Sequence, residues 1–592
     1  MKLWKFLAIE WRRYVIGIIL LTLVALVNLV PPQIIGKVID LIQREQLTSS
    51  NLWMLIGILV GAGILTYVFR YFWRVFIFGA SQSLGRRLRK TLYEKYTSMS
   101  PEFFQQHRTG DLMAHATNDI RAVQNAGGGG VLTIADSLIM GGSVVVTMAA
   151  TVSWKLTLLV LIPLPLLIVA TNYLGRLLNR AFKKSQAAFS NLNDKTQESI
   201  AGIKVNKTFG YEREDRRSFK KLTDETVDTY LRVTKVDALF DPTIILIIGT
   251  SYLIGIVFGS RMVIHDEITL GQLITFTTYL SMMVWPLLAL GLFFNIYQRG
   301  RASYDRILKI MDEPNGIDVS ASVTQAPCGD IVYQIASFTF PDEATSTLSD
   351  VHFSIPEGST VGIVGRTGAG KSSLVRLLIR EFDTQRPEDI MYGDQPIRNY
   401  TLEQLRGQFG YVPQEHFLFS TTIKENIAFS DPTMSDETIY HAAEVSNIHE
   451  DILQFTEGYD TVVGERGVSL SGGQKQRVSI ARAMVTDPAV LILDDALSAV
   501  DAETESKILM NMKNERQGKT NIIIAHRMSA VSHADHIVVM DNGTVVEQGT
   551  HDTLMAKRGW YFETYRAQTM KEHAAHRLEA MTQREEGDDN GR

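Results

Sequence analysis

Six apolar stretches crowd the first half of this chain, at residues 15–42, 52–79, 131–152, 155–175, 241–264 and 267–293. A helix needs about 20 consecutive apolar residues to cross a bilayer, and each stretch meets that length. Within hydrocarbon every backbone amide must find its partner inside the segment, so stretches of this kind fold as helices. Whole-chain averages hide the pattern. Hydrophobic residues make up 45% and charged residues 21%, because the residues beyond 320 have the composition of an ordinary soluble domain. The first stretch is too long for the apolar core of a signal peptide, and no small-residue cleavage pattern follows it, so it is expected to be a membrane helix. Pro31-Pro32 lies inside it; in a bundle, neighbouring helices can satisfy the freed carbonyls, so a kink is expected rather than a break.

Basic residues fix the orientation. The N-terminal stub carries Lys2, Lys5, Arg12 and Arg13, and the long segment after the second stretch carries Arg86, Arg87, Arg89, Lys90, Lys95, Arg108 and Arg121. The long segment 176–235 is again rich in Lys and Arg, whereas the short connections hold little beyond Arg44, Lys155 and Arg261. Cytoplasmic loops keep the excess of Lys and Arg. The N-terminus and both long excursions are therefore expected in the cytosol, and an even number of crossings puts the C-terminal half there too. Residues 80–107 and 183–235 have few Gly or Pro and helical patterning, so the membrane helices are expected to run on beyond the bilayer. A net charge of −5 gives no basic surplus of the kind nucleic acids select, and no nucleic-acid partner is expected. The single cysteine, Cys328, excludes an internal disulfide.

Beyond residue 320, short apolar runs alternate with helical patterns and Gly/Pro turns: Val361–Val364, Gly410–Val412, Val490–Leu493, Asn521–Ala525 and His536–Met540. This alternation is that of a parallel α/β sheet. The first run leads into Gly365-Arg366-Thr367-Gly368-Ala369-Gly370-Lys371-Ser372, and Ser373 opens a helix. Strand, glycine-rich turn and helix in this order form a phosphate loop. Glycines let backbone N–H groups turn inward around phosphate oxygens, and the helix N-terminus adds its positive dipole end. Lys371 can reach the β- and γ-phosphates of ATP, and Ser372 can hold Mg2+. The run Ala489–Leu493 ends in Asp494, the expected carboxylate partner for that Mg2+.

Leu470-Ser471-Gly472-Gly473-Gln474, followed by Lys475-Gln476-Arg477, is the pentapeptide by which the chain resembles the ABC ATPase family. That resemblance implies two ATP-binding domains meeting head to tail, so that the residues Ser471, Gly472, Gly473 and Gln474 cap the γ-phosphate held by the other domain. It also implies that Gln414 senses Mg2+ and acts in catalysis, and that Ser498-Ala499-Val500-Asp501 crosses the dimer interface. His526 matches the switch histidine at the γ-phosphate, and Phe340 stands where the family has an aromatic ring, more often Tyr, stacked on adenine. Thr461-Val462-Val463-Gly464-Glu465-Arg466-Gly467 matches a loop of exporters. Gly110–Arg121 and Phe209-Gly210-Tyr211-Glu212 are candidates for their coupling helices. The resemblance runs from about residue 10 to 568. It implies a multi-domain membrane protein: a six-helix transmembrane bundle of the ABC exporter type fused to an α/β P-loop ATPase domain. The boundaries are 1–310 for the membrane domain, 311–330 for a linker, 331–568 for the ATPase and 569–592 for a charged tail. ATP and Mg2+ are the implied cofactors, the bacterial inner membrane the implied location, and membrane lipid and a hydrophobic small molecule the implied contacts.

One residue departs from the family. Where a Glu normally follows the Mg2+-binding Asp and polarises the attacking water, this chain has Asp495. Its carboxylate is one methylene shorter, and a misplacement of about 1 Å can cost on the order of 10²-fold in rate. The pattern resembles bacterial heterodimeric multidrug-type half-transporters, with a second, different half supplying the Glu. A homodimer with slow sites and an ATP-binding regulatory subunit remain open alternatives. No metal cluster, nucleophile triad or redox site is apparent beyond the Mg2+ that accompanies ATP. Asn28, Asp136 and Asn295 are polar residues in or near apolar runs, where they could meet a substrate or join helices.

Overall fold

The structure is a computed structural model that describes residues 3–318, 321, 323–341, 343–464 and 470–570. Glu465, Arg466 and Gly467 of the expected exporter loop, and nearly all of the charged tail, lie outside the described residues. The chain forms two compact units. One comprises the residues up to Thr97 together with Arg108–Glu313, and the other comprises Ser98–His107 and the residues from Pro314 onward.

The first unit is helical. Its first crossing is two helices, Trp11–Asn28 and Val30–Gln43, that meet at Leu29. Pro31 and Pro32 fall in the first turn of the second piece, where backbone N–H groups have no intrahelical acceptor to lose. A single helix of 50 residues, Ser49–Ser98, follows. At 1.5 Å per residue it is about 75 Å long, more than twice the ~30 Å hydrocarbon core, so it continues far beyond the bilayer. Leu164–Ala201 and Glu212–Asp237 pack along one another as the second excursion. Near their turn, Asp215 accepts from Ser199 Oγ and pairs with Lys195 Nζ, both at 2.9 Å.

Among the described residues, five helical spans are long and apolar enough to cross: Ala8–Gln43, Ser49–Ser98, Thr109–Leu161, Glu212–Ile264 and Leu270–Asp312. The stretch at 155–175 differs because proline interrupts it. The helix Trp154–Leu161 stops before Pro163 and Leu164–Ala201 starts after it, so this apolar segment is divided between two helices. The helices Val30–Gln43 and Leu270–Met282 approach closely through glycine: a Cβ on Gly36 would overlap the Gly271 carbonyl oxygen. Asp40 joins the same pair, accepting from Gly271 N at 2.8 Å and from Thr269 Oγ1 at 2.6 Å.

The second unit is built on two sheets. One is antiparallel, in the order β2-β1-β4-β5, from Leu348–Ile355 (β2), Ile331–Phe338 (β1), Ile390–Tyr392 (β4) and Gln395–Pro396 (β5). The sequence reading anticipated only a parallel sheet. Strands β1 and β2 alternate apolar and polar residues, the pattern of a sheet with one solvated face.

The other sheet has the order β10-β9-β3-β8-β7-β6, from Thr544–Gly549, His536–Asp541, Thr360–Gly365, Thr520–Ile524, Val490–Asp494 and Phe409–Val412. Strands β9 through β6 run parallel, and β10 adds an antiparallel edge. Every residue of β7 and β8 is buried, as expected of strands covered on both faces. The core that joins the two sheets includes Ile335, Val361, Ile363, Leu374, Ile492 and Ile522.

Candidate functional site

Four adjacent parallel strands, β3, β8, β7 and β6, end on one edge of the sheet. The phosphate loop leaves β3, His526 follows β8, Asp494 and Asp495 close β7, and Gln414 follows β6. The C-terminal edge of a parallel sheet is where such folds gather ligands. Residues scattered over more than 160 positions are thereby brought to one row.

The loop is shaped for an anion. Gly370 has φ 91°, and a Cβ there would sit 2.7 Å from Leu348 Cδ2, so only glycine fits the entry to the helix Lys371–Leu378. Lys371 is 6% exposed, and its Nζ donates to the Gly365 and Arg366 carbonyls at 3.0 and 2.9 Å. Burial pushes this ammonium below its usual range, against the pull of Asp494 and Asp495. Ser372 Oγ donates to Asp494 Oδ1 at 2.9 Å. Asp494 is 3% exposed; burial raises its pKa, and Asp495 beside it adds to that, while Ser372, Lys371 and His526 oppose. A buried carboxylate and a hydroxyl in contact form a hard-oxygen pair of the kind Mg2+ takes.

Asp495 has φ 52°, in the left-handed region that short polar side chains tolerate best. Its N–H donates to the Ile524 carbonyl at 2.9 Å, and its carbonyl accepts from Ser498 Oγ at 3.0 Å. Gln476 holds the next turn: its Nε2 donates to Ser498 Oγ at 3.2 Å and its Oε1 accepts from Ala499 N at 3.0 Å. A small cavity is lined by Asp495, Ser498, Glu505, His526 and Arg527. Beside Gln414, which is exposed, both ring nitrogens of His416 are buried without a hydrogen-bond partner among the described residues. Burial lowers the His416 pKa, with Asp495 near enough to oppose.

Phe340 follows β1. The Arg376 guanidinium lies 5.3 Å from its ring centre, and Phe338 and Phe382 meet it edge-on at 5.0 Å. Ser471 caps the helix Gly472–Met484 in a reciprocal box with Gln474: Ser471 Oγ accepts from Gln474 N at 3.3 Å, and Gln474 Oε1 accepts from Ser471 N at 3.1 Å. Gly473 passes close to the chain, since a Cβ there would be 3.0 Å from the Ala499 carbonyl oxygen. Among the described residues, Ser471–Gln474 bond to one another, along their own helix and to Asp451, and no hydrogen bond joins them to the phosphate loop. The structure thus gathers Gly365–Ser373, Gln414, Asp494, Asp495 and His526 on one sheet edge and seats Ser471–Gln474 at a separate helix start. Sequence reasoning missed the supporting roles of Gln476, which bonds to Ser498 and Ala499 after Asp495, of Arg376, which covers Phe340, and of Gln568, whose amide bonds to the His526 carbonyl and to Met528 N. Gln476 lay inside the motif already singled out; the other two carry no sequence signal.

Family models match in two places: ABC transporter transmembrane region over residues 14–287 and ABC transporter over residues 348–498. The chain is 43% identical over 562 residues to the "Multidrug resistance-like ATP-binding protein MdlA" of Escherichia coli (strain K12), covering 95% of each. It is 41% identical over 570 residues to the "Probable multidrug resistance ABC transporter ATP-binding/permease protein YheI" of Bacillus subtilis (strain 168), covering 96% of this chain and 97% of that one. Among solved structures, a bacterial Atm1-family ABC exporter with ATP bound superposes with a TM-score of 0.77 at 26% identity, over 94% of this chain and 98% of the other.

Proposed function

Because the chain belongs to the ABC transporter family, among its multidrug-resistance-like exporters, we propose that it is one half of an exporter with two unequal ATP sites. It is a multi-pass protein of the bacterial inner membrane with a cytosolic ATPase domain that takes ATP with Mg2+. The finer reading concerns the division of labour. This chain's own phosphate loop holds ATP through Lys371, the backbone of Gly365–Ser373 and the ring of Phe340. Ser372, Gln414 and Asp494 would hold Mg2+, which when bound neutralises charge on the phosphate oxygens. His526 meets the γ-phosphate, and Asp495 is left to orient the attacking water.

A single observation carries the reading: Asp495 is the residue after the Mg2+-binding Asp494, and its backbone is held on both sides, by Ile524 and by Ser498. The shorter side chain cannot be offset by a shift of the main chain. A general base must come within about 3 Å of its proton, so this site holds ATP well and hydrolyses it slowly. Ser471–Gln474, at a helix N-terminus separate from this chain's own phosphate loop, is suited to cap the nucleotide of a partner half that carries the longer Glu. ATP binding closes the two ATPase domains and hydrolysis reopens them, and the long cytosolic helices carry the motion to the bundle. The cargo is a hydrophobic or amphipathic compound, as the multidrug names of its relatives suggest; another relative is named an "ATP-dependent lipid A-core flippase".

The test is ATP turnover by the purified chain alone and with a half-transporter carrying Glu at the matching position. Slow turnover alone and fast turnover together support the reading. Strong turnover by the chain alone, unmoved by Asp495→Asn, overturns it. Lys371→Ala separates it from a purely regulatory subunit, in which the transport activity of the complex would be untouched.

A further inference from the structure

The switch histidine sits on a short loop between β8 and the turn Met528–Ala530. The β3–β8 ladder ends at Ala525, whose N–H donates to the Ile363 carbonyl at 3.3 Å, so the polar backbone groups beyond it look to side chains. On one side Arg527 donates to Glu505 Oε2 at 2.6 Å and to the Val500 carbonyl at 3.2 Å. On the other side stands Gln568. Its Nε2 donates to the His526 carbonyl at 2.8 Å, and its Oε1 accepts from Met528 N at 2.8 Å. One primary amide thus bridges the loop across Arg527 and uses its donor and its acceptor together, which fixes its orientation.

Gln568 itself is well anchored. It lies in the helical run 560–570, near the end of the described chain. Tyr561, fully buried, bonds through its hydroxyl to His551 Nδ1 at 2.8 Å, and Trp560 N donates to Glu547 Oε1 at 2.6 Å. Ala525, Met528, Val531, Leu554 and Tyr561 share one hydrophobic cluster, so the terminal helix and the switch loop rest on the same core.

We propose that Gln568 is a positioning residue for His526, and that through it the C-terminal helix controls how well the site tells ATP from ADP. The proposal rests on the reading above that His526 meets the γ-phosphate. Without Gln568 the His526 carbonyl and the Met528 N–H lose their shared partner, the loop gains freedom, and the imidazole no longer meets a γ-phosphate at a fixed place.

The experiment uses the full chain in detergent and two readouts. Amide hydrogen exchange at Met528 reports the clamp, and the ratio of the ADP to the ATP Kd reports its consequence. In Gln568→Leu, exchange at Met528 is expected to rise about tenfold, as for loss of one buried bond. The Kd ratio is expected to fall about as far as in His526→Ala, and the double variant to fall no further. Gln568→Glu keeps the acceptor for Met528, faces the His526 carbonyl with an oxygen, and is expected to lower the ratio while the protein stays folded. Unchanged exchange, or an unchanged ratio in both Gln568 variants beside a lowered one in His526→Ala, refutes the proposal. A Kd ratio that stays constant in His526→Ala refutes instead the underlying reading of the site.

Discussion

Replacing Asp495 with Glu lengthens one side chain and leaves every other group in place. One methylene extends the carboxylate by about one C–C bond length, and misplacement of about 1 Å at a reacting centre costs on the order of 10²-fold. The main chain at this position cannot make up that distance, because Asp495 N bonds to Ile524 O at 2.9 Å and its carbonyl is held by Ser498 Oγ at 3.0 Å. ATP turnover by the isolated chain should therefore rise about 10- to 100-fold in Asp495→Glu. The variant should also be slightly less stable. At φ 52° Glu is less at home in the left-handed region than Asp, at roughly 1 kcal/mol, or about 2–4 °C in Tm for a domain of this size. Steady-state phosphate release and thermal unfolding in detergent measure both effects. Turnover that stays within twofold of the parent, in a protein that still binds ATP, refutes the argument that side-chain reach limits this site.

Three further outcomes follow from the same geometry. Lys371→Ala should abolish ATP binding, and with it the stabilisation of about 2.7 kcal/mol that ligand at 100 times its Kd confers; thermal shift with and without Mg-ATP checks this. Arg380 is 0% exposed, pairs with Asp383 at 2.9 Å and donates to the Asp318 and Tyr400 carbonyls at 2.7 and 3.3 Å. Arg380→Ala removes a fully buried guanidinium, while Asp383 keeps Arg398 at 3.8 Å and the Asp318 N–H at 3.0 Å, so the ATPase unit should lose about 1–3 kcal/mol in denaturant unfolding. Gly271→Ala places a methyl against the Gly36 carbonyl and the Asp40 carboxylate. The two helices must separate at a cost of about 1–3 kcal/mol, which a lower melting temperature of the purified chain reports.

Local structure was legible in the sequence wherever the motif and its structural context coincide. The glycines before Lys371 need the conformation they adopt, and the strand before them is apolar on both faces, so the phosphate loop could be placed from residues alone. The places of Asp494 and His526 were legible for the same reason, since the first closes a fully buried strand and the second follows one. The antiparallel sheet was not, because β1 and β2 are separated by loop and only alternate in polarity, a weak signal at eight residues each. The fourth crossing was read as one helix because hydropathy does not register a proline; the chain breaks at Pro163. Gln568 was invisible because its role depends on a helix folding back onto β8 from more than forty positions away, which no local pattern encodes.

The unequal-site account is tested most directly by what each phosphate loop holds after a single turnover. The chain and a Glu-bearing partner half are assembled, loaded with labelled Mg-ATP, quenched during the first cycle and separated. The account predicts intact ATP retained on this chain and ADP on its partner. ADP appearing on this chain as fast as on the partner contradicts it.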